Sequence, residues 1–330
     1  MSRRTALVTG VAGQDGVYLA RLLVDHGYRV VGLMSQATVC PYLEDVATVT
    51  GDLRDVDLLD RLLDEERPDE IYNLAAFSSV GASWQAAEVV AEVNGMAVLR
   101  LLEAIRRLAG RVGHEPRFYQ ASSSEIFGAV GDHAISESSP HHPRSPYGVA
   151  KSFAHHLTVN YRESYGMFAC NGITFNHESP LRPLRFVTRK ITRAAAEMSL
   201  GVREKVELGD LEVTRDWGFA GEYVEAMYAM VQQDEPSDYV VATGRATRLH
   251  DFVAMAFEAA GVDDMDARVS RDERLLRPAE VTVTVGDPGK ARRDLGWQAR
   301  RGVREVVQMM VDADLRRLTS GVEESPGYLT

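Results

Sequence analysis

Residues 5–27, TALVTGVAGQDGVYLARLLVDHG, join a short apolar run to a longer amphipathic stretch through three glycines. The run TALVT predicts a buried strand, and VYLARLLVD predicts a helix that ends near Gly27. Gly10, Gly13 and Gly16 separate the two elements with the spacing GxxGxxG. Because glycine has no side chain, such a turn lets backbone amides approach a bound pyrophosphate at the helix N-terminus. A strand, a glycine turn and a helix in this order predict a dinucleotide-binding site.

The rest of the first half repeats this alternation of apolar runs and amphipathic stretches. The predicted strands are RVVGLM, VATVTGDL, EIYNLAA and RFYQASS, and the predicted helices include LLDRLLDEER and EVVAEVNGMAVLRLLEAIRRLAG. Continuous apolar strands separated by helices are typical of a parallel sheet that is covered on both faces. The sequence therefore predicts an α/β fold, a doubly wound parallel Rossmann sheet with a smaller C-terminal α/β substrate domain.

The pattern loosens after residue 175, where helices and short strands no longer alternate regularly. FVTRKITRAAAEMSLG predicts a helix rich in basic residues, and EYVEAMYAMVQQ with DYVVATG predicts a helix and a strand that return to the first domain. RLHDFVAMAFEAAG and GVREVVQMMVDADLRRL predict amphipathic helices. We predict that residues 1–175 form an NAD(P)-binding domain, completed by about 215–247. Residues 176–214 and 248–330 are predicted to form mainly the substrate domain.

Composition excludes several classes of protein. The chain of 330 residues has a net charge of −11, and a general nucleic-acid surface needs clustered Lys and Arg instead. Cys40 and Cys170 lie far apart without metal-ligand spacing, so no metal site and no disulfide framework is predicted. No apolar run reaches membrane-spanning length. We expect a cytoplasmic protein without membrane or nucleic-acid partners.

The residues after the second and third predicted strands bear on the choice of cofactor. An acidic residue that binds the ribose hydroxyls of NAD usually ends the second strand, but residues 34–36 are Met, Ser and Gln. The missing carboxylate removes a repulsion against a 2′-phosphate, although no arginine replaces it. Asp52 and Leu53 could line the adenine, and Arg54 is either a phosphate partner or a solvated surface residue. These residues favour NADP modestly and do not exclude NAD.

The segment SPYGVAKSF places Tyr147 and Lys151 four residues apart. On a helix this spacing puts both side chains on one face. A tyrosine of ordinary pKa is only about one part in a thousand ionised at neutral pH. A neighbouring ammonium group and the positive charge of oxidised nicotinamide would favour the phenolate, which could take a hydroxyl proton while hydride leaves the same carbon. The pair also fits an ordinary surface contact, but here it follows both the glycine turn and a strand that ends in Ser123.

The stretch FYQASSSEIFG, residues 118–128, ends a predicted strand in three serines and a glutamate. Ligands of parallel sheets bind at this end of the strands. We expect Ser123 to hydrogen-bond the reacting oxygen alongside Tyr147, and Glu125 to point to the same face if the strand geometry persists. Glu125 could then remove a proton acidified by a neighbouring ketone and pass it to a departing hydroxyl. The alternative is that Glu125 is a helix N-cap or first-turn carboxylate.

The chain resembles the GDP-mannose 4,6-dehydratases of the extended short-chain dehydrogenase/reductase superfamily nearly from end to end. The resemblance rests on TGVAGQDGVYLA, YNLAAFSSVGASW, FYQASSSEIFG, HHPRSPYGVAK, VNYRESYGMFACNGITFNHESP, FVTRKITRA, LGDLEVTRDWG and VEAMYAMVQQDEPSDYVVATG. It implies an NADP-dependent hydro-lyase of deoxysugar biosynthesis that converts GDP-mannose to GDP-4-keto-6-deoxymannose. The implied steps are oxidation at C4, deprotonation at C5 with loss of the C6 hydroxyl as water, and hydride return to C6. It also implies a homodimer or homotetramer.

The resemblance assigns roles to individual residues. The expected catalytic residues are Ser123, which stands where the family usually has Thr, Glu125, Tyr147 and Lys151. The expected cofactor-binding residues are Gly10, Gly13, Gln14, Asp15, Gly16, Asp52, Leu53, Leu74, Ala75, Ala76, Tyr147 and Lys151. The expected substrate-binding residues are Ser78, Asn176, Glu178, Lys190, Arg215, Arg277 and Glu280.

Some positions depart from the family pattern. MSQATVCPYLEDV, residues 34–46, replaces an Arg-rich stretch that reaches the cofactor phosphate and a neighbouring subunit. Leu184 and Arg185 occupy the place of a Gly-Glu pair, and Phe77 and Ser79 differ from the usual Gln and His. These departures indicate an altered sugar or an altered loop geometry. An epimerase, reductase or decarboxylase of a related sugar nucleotide is the alternative function, and a non-catalytic cofactor-binding regulatory protein is a further one.

Overall fold

The computed structural model describes residues 3–37, 40–128 and 134–329. The strands of these residues are β1 (Thr5–Thr9), β2 (Arg29–Met34), β3 (Ala47–Thr50), β4 (Glu70–Asn73), β5 (Arg117–Ala121), β6 (Ala169–Thr174), β7 (Asn176–Glu178), β8 (Val206–Leu208), β9 (Thr214–Arg215), β10 (Trp217–Phe219), β11 (Tyr239–Val241), β12 (Thr247–Arg248), β13 (Val269–Arg271) and β14 (Val283–Thr284). The α-helices are α1 (Gln14–Asp25), α2 (Val56–Glu66), α3 (Ala87–Ala91), α4 (Ala97–Val112), α5 (Pro146–Tyr165), α6 (Val187–Ser199), α7 (Ala220–Val231), α8 (Leu249–Ala260), α9 (Met265–Arg268), α10 (Gly289–Leu295) and α11 (Val303–Ser320).

The main sheet contains seven parallel strands in the order β11-β6-β5-β4-β1-β2-β3. The strand order reverses at β1, which pairs with β2 on one side and with β4 on the other. In an open α/β sheet, the crevice beyond such a reversal is the usual ligand site. The doubly wound Rossmann sheet predicted from the sequence is confirmed.

Both faces of the main sheet are buried, which explains the continuous apolar strands. Ala6 and Val8 face an apolar cluster built with α1 and α7, and Leu7 faces a second cluster built with α2, α4 and α5. Because side chains alternate along a strand, a strand covered on both faces is apolar along most of its length, and its buried polar residues, such as Glu70 and Asn73, are hydrogen-bonded.

The second half of the chain builds a smaller lobe and also packs on the main sheet. Helices α6, α8 and α11 enclose a third apolar cluster, and β8 to β10 and β12 to β14 form short sheets. Strand β11 joins the main sheet, as the return segment predicted, and Trp297, Val306 and Met310 lie in the first cluster. The domain boundaries drawn from the sequence stay a prediction. They also include residues 1–2, 129–133 and 330, which lie outside the described residues.

The long helix predicted between residues 88 and 110 has an interruption. Residues Glu92–Met96 form a π-helical segment between α3 and α4. The Asn94 side chain in this segment accepts from the Phe77 amide at 2.7 Å and donates to the Phe77 carbonyl at 3.0 Å. Such segments occur often at functional sites, and this one holds the loop that follows β4. In the described part of the chain, no helix combines the length and apolar character needed to cross a bilayer.

Candidate active site

The glycine turn lies between β1 and α1, at the point where the strand order reverses. Gly10 has a φ of +69°, and a Cβ atom there would lie 2.9 Å from the Ala75 backbone that follows β4. A Cβ at Gly16 would lie 2.4 Å from the Gly10 carbonyl oxygen. At Gly13 only that same oxygen, at 3.2 Å, would lie within 4 Å of a Cβ, and the helix start has no side-chain cap. The bare helix N-terminus therefore fits a pyrophosphate group.

Gln14 and Asp15 tie this turn to β7. Asp15 Oδ2 lies 2.8 Å from His177 Nε2, while Gln14 donates to the His177 carbonyl at 3.1 Å and accepts from the Ser179 hydroxyl at 2.9 Å. Burial alone would raise the pKa of Asp15, but the paired His177 outweighs burial and lowers it. The His177 pKa is raised for the reciprocal reason, since Asp15 outweighs its burial. The pair offsets a carboxylate that would otherwise repel an anion at the helix N-terminus.

Other predicted cofactor residues are already engaged within the protein. The amides of Leu74 and Ala75 donate to the Thr9 hydroxyl, each at 3.1 Å, which holds the start of the loop that continues into Ala76. Leu53 is buried in the second apolar cluster. Asp52 binds the Arg54 guanidinium through both carboxylate oxygens, so Arg54 forms an ion pair at the protein surface.

Tyr147, Lys151 and Ser123 come together where β5 meets α5. The Ser123 hydroxyl lies near Tyr147 and lowers its pKa, and Lys151 donates to the Ala121 carbonyl at 2.8 Å. Burial raises the pKa of Tyr147 to about 12 and lowers the pKa of Lys151 to about 8. The Lys151 Nζ atom donates to this backbone carbonyl and lies 5.8 Å from the Tyr147 ring centroid. In the protein alone, burial outweighs the neighbouring charges at both Tyr147 and Lys151. The expectation that the Lys151 ammonium and an oxidised nicotinamide together favour the phenolate concerns the protein with bound cofactor, and it stays a prediction.

The strand geometry expected to reach Glu125 does not persist. Strand β5 ends at Ala121, and residues Ser124–Ile126 form a short 3₁₀ helix that Ser123 caps by accepting from the Glu125 amide at 3.2 Å. The N-cap is therefore Ser123, and Glu125 lies in the first turn. Its carboxylate nevertheless raises the Tyr147 pKa electrostatically and lies 3.8 Å from the Arg277 guanidinium. Glu125 and Tyr147 thus border the same cleft.

Arg215, Arg277 and Glu280 form the charged end of this cleft. Arg215 Nη2 lies 2.8 Å from Glu280 Oε1, and Arg277 Nη1 lies 3.6 Å from the same oxygen. Burial lowers the pKa of Arg215, which keeps two oppositely charged neighbours, Glu280 and Glu125. Two guanidinium groups share one carboxylate here, an arrangement that suits a further anionic ligand.

The remaining predicted substrate residues are distributed around the cleft. Asn176 is half-buried at the start of β7, and Lys190 is a partly exposed residue of α6 that electrostatically lowers the Asp272 pKa. Ser78 accepts from Arg185 at 3.1 Å. Glu178 lies in the interior, and its contact with substrate stays a prediction. It is buried with Thr188 at 2.7 Å and Arg182 at 2.9 Å, and its pKa is raised by burial.

The profile of the family described as GDP-mannose 4,6 dehydratase matches residues 7–310. The chain belongs to this family. GDP-mannose 4,6 dehydratase 1 of Arabidopsis thaliana is 46% identical over 327 residues, which cover 95% of this chain and 90% of that relative. A GDP-mannose 4,6-dehydratase of Yersinia enterocolitica is 43% identical over 353 residues, covering 95% of this chain and 94% of the relative. A solved structure of Thermus thermophilus UDP-glucose 4-epimerase with NAD superposes with a TM-score of 0.83 at 27% identity, covering 94% of this chain and 98% of the other. These similarities confirm the family and the fold predicted from the sequence.

Within this family, the positions that depart from the usual pattern lie at the rim of the cleft. Arg185 bridges from the loop before α6 to Ser78 in the loop after β4, and its pKa is lowered by burial and by the nearby Arg182. Leu184 is 53% exposed beside it. Phe77 packs against Tyr147 and Val90 in a small apolar cluster. The altered residues therefore shape the wall of the pocket and leave the Ser123–Tyr147 contact in place.

Two histidines that the sequence did not single out contact residues of the site. His177 belongs to the quoted segment NHESP, but its Asp15 partner is 162 positions away in the chain. His155 lies on α5 one turn beyond Lys151 and contacts Ser122. The spacing Tyr147, Lys151, His155 was the available signal, since residues four apart share a helix face. In the described residues, no group of three His, Cys, Asp or Glu side chains could hold a metal ion.

Proposed function

We propose that this protein converts GDP-mannose to GDP-4-keto-6-deoxymannose and water with a nicotinamide dinucleotide as cofactor. The observation that carries the proposal is the Glu125 carboxylate, which acts electrostatically on Tyr147, as the Ser123 hydroxyl also does, and lies 3.8 Å from Arg277. An oxidation at one sugar carbon needs only the Ser, Tyr and Lys. A carboxylate beside them adds a base for the neighbouring carbon. Membership of the GDP-mannose 4,6 dehydratase family supports the same reaction.

The glycine turn, Tyr147 and Lys151 would hold the cofactor. When bound, it accepts hydride from C4 of the sugar and later returns it to C6. The Thermus epimerase structure contains NAD, which supports a nicotinamide cofactor on this scaffold. We propose NADP, because residues 34–36 carry no carboxylate to repel a 2′-phosphate. Thr38 and Val39 of the following segment lie outside the described residues.

Each side chain of the site has a defined proton to move. Tyr147 takes the proton of the C4 hydroxyl, which Ser123 orients, as hydride leaves C4. The new ketone acidifies C5, where Glu125 removes the proton and then gives it to the departing C6 oxygen as water. C5 takes up one proton when hydride returns to C6, and Tyr147 releases the proton that it took from the C4 hydroxyl. The product therefore differs from the substrate by one water, and no cofactor is consumed.

Positive side chains would bind the nucleotide diphosphate. Arg215 and Arg277 share Glu280, so each guanidinium keeps donors for phosphate oxygens. Lys190 adds a further cation from α6, and Asn176 at β7 supplies an uncharged amide. These residues lie between the catalytic end of the cleft and the smaller lobe, which suits a sugar held at one end and a guanosine at the other.

We also propose a cytoplasmic homodimer that pairs through α5. Val149 and Phe153 on α5 are 56% and 44% exposed, and Val89 of α3 is 47% exposed. They border or neighbour an apolar cavity of about 780 Å³ that Trp84 also lines. Apolar patches of this kind mark association sites.

The test is incubation of the purified protein with GDP-mannose. We expect a product lighter by one water that shows the alkali-induced absorbance of a 4-keto sugar. GDP-, UDP-, dTDP- and CDP-hexoses are compared in parallel. No product from any of them would contradict the proposal, whereas deuterium uptake at C5 without loss of water would favour an epimerase.

A further inference from the structure

The end of β5 and the helix α5 are joined by three consecutive contacts. Each contact links one residue of the strand end to one residue of the helix. Lys151 donates to the Ala121 carbonyl, Ser122 Oγ lies 3.1 Å from His155 Nδ1, and the Ser123 hydroxyl lies near Tyr147, whose pKa it lowers. The three helix residues are four positions apart and therefore lie on one face. Two of the contacts involve the proposed catalytic groups directly. The middle contact, between Ser122 and His155, has no role in the chemistry described above.

The Ser122–His155 contact is buried and continues to an acidic side chain. Ser122 Oγ lies 3.1 Å from His155 Nδ1, and His155 Nε2 lies 3.8 Å from Asp238 Oδ2. The ring nitrogen that faces the carboxylate carries the proton, because a lone pair there would be repelled. Nδ1 is then the acceptor and the Ser122 hydroxyl is the donor.

Asp238 is itself fixed, so the chain of contacts has a rigid end. Arg162 binds both of its carboxylate oxygens, at 2.8 and 3.0 Å, and the Asn171 amide donates to it at 2.9 Å. These partners lower the Asp238 pKa even though burial opposes them, so the carboxylate stays ionised. Asn171 lies on β6, the strand next to β5.

We infer that His155 is a positioning residue that sets the register between the end of β5 and α5 through its hydrogen bond with Ser122. This inference rests on the proposed function for its activity readout. Along the chain, Ser122 lies directly between Ala121, whose carbonyl accepts from Lys151, and Ser123, whose hydroxyl lowers the Tyr147 pKa. Fixing its side chain to α5 therefore aligns both neighbouring contacts. Misplacement of a catalytic group by about 1 Å can cost two orders of magnitude in rate.

His156 offers a matched control, because it is the next residue on the same helix and is exposed. Four single variants are compared in the full-length protein with cofactor and GDP-mannose: His155→Leu, His155→Asn, Ser122→Ala and His156→Leu. We expect His155→Leu to lower kcat about ten-fold or more while KM stays within about two-fold, since geometry and not binding is lost. His155→Asn should keep most of the activity, because its amide oxygen can accept the Ser122 hydroxyl from nearly the Nδ1 position. His156→Leu should behave as wild type.

A double variant separates positioning from general loosening of the fold. Ser122→Ala should match the defect of His155→Leu, and their combination should be no worse than either alone, because both remove one shared bond. Defects that multiply, or a His155→Leu variant with wild-type kcat, would overturn the inference. If His155→Leu fails to fold, Ser122→Ala and His155→Asn are compared instead. A lowered kcat in Ser122→Ala with most of the activity kept in His155→Asn would support the inference, and a wild-type kcat in Ser122→Ala would overturn it.

Nitrogen NMR of the histidine rings tests the contact without any substrate. We expect His155 to be neutral at about pH 6 as the Nε2–H tautomer, with a signal that shifts in Ser122→Ala. A His155 ring that is protonated at that pH, or a His155 nitrogen signal that does not shift in Ser122→Ala, would contradict the inference. Absence of GDP-mannose turnover by the wild type would instead contradict the proposed function.

Discussion

Tyr147 and Lys151 lie on the same face of α5, but burial shifts their pKa values in opposite directions. With a pKa of about 12, Tyr147 is protonated at neutral pH in the protein alone. Lys151, with a pKa of about 8, is mostly charged at neutral pH and loses its charge above that pKa. Both shifts follow from the loss of water around the charged form. The Ser123 hydroxyl acts against burial at Tyr147 and lowers its pKa. Acceptance of the C4 hydroxyl proton by Tyr147 would therefore require the positive charge of bound oxidised nicotinamide, which favours the phenolate.

Glu125→Gln should separate the two halves of the proposed reaction. The variant keeps Ser123, Tyr147 and Lys151, so hydride should still leave C4, but no base remains for C5. We expect reduced cofactor to accumulate on the enzyme, seen by its near-ultraviolet absorbance, with less than about 1% of wild-type product formation. Tyr147→Phe should show no cofactor reduction, and the exposed Glu115→Gln should resemble wild type. Normal dehydration by Glu125→Gln would mean that the carboxylate is only structural.

His155 should make stability depend on pH. Burial lowers its pKa to about 4 from an ordinary value of 6.5, so the unfolded chain binds the proton more readily. The stabilisation is complete above pH 6.5 and is lost as pH falls towards 4, on the order of 3 kcal/mol in all. We expect the free energy of unfolding, measured by urea titration between these limits, to fall less steeply in His155→Asn than in wild type. Equal slopes in both proteins would show that His155 is already exposed to protons in the folded state.

At the scale of elements, the glycine turn determines how closely β1, α1 and β4 approach one another. Gly10 touches the backbone that follows β4, and Gly16 touches the backbone of the turn itself. Neither contact can be relieved by moving a flexible side chain. The open outer side of Gly13 is the part of the turn left for a ligand.

Gly16→Ala should therefore impair cofactor binding. Its Cβ would lie 2.4 Å from the Gly10 carbonyl oxygen, so the turn must shift. We expect cofactor affinity, measured by calorimetry, to fall at least about ten-fold through the lost alignment of the helix N-terminus. Gly110→Ala is the control, because nothing lies within 4 Å of its Cβ on α4. That variant should bind cofactor normally and gain about 0.5–1 kcal/mol of stability.

At the scale of the whole molecule, the exposed apolar residues of the larger lobe contrast with its closed core. The Phe153 ring lies over Gly95 of the π-helical segment, where an added Cβ atom would be 3.1 Å from the ring. The Phe153 side chain nevertheless remains 44% exposed. A second subunit placed over α5 would bury this ring together with Val149.

Phe153→Glu should weaken the proposed dimer, because a buried, unpaired carboxylate is costly at an apolar interface. We expect the molecular mass from light scattering to drop to that of a monomer. Val202→Glu is the matched control, since Val202 is 70% exposed on the smaller lobe. A wild-type protein that is already monomeric at micromolar concentration would contradict the proposed pairing.

The fold was largely predictable because its signals are local. Continuous apolar strands, amphipathic helices and the glycine turn identified the parallel sheet, and strand β11 returned to it as expected. The interruption of the helix around Asn94 was not predicted, since its cause is a side-chain contact with Phe77 in a distant loop. The interior position of Glu178 was not predicted either, because its contacts with Arg182 and Thr188 depend on how α6 packs.

The sequence by itself determined the family, the doubly wound parallel sheet and the identity of Ser123, Glu125, Tyr147 and Lys151 as candidates, because these depend on residue types at short spacing. Only the tertiary structure decided where the Glu125 carboxylate points, that Asp15 pairs with His177, and that His155 binds Ser122. Those contacts join residues from separate strands and helices, and burial in the folded chain then sets the acidity of each group. No pattern along the chain encodes either effect, since both arise from neighbours in space.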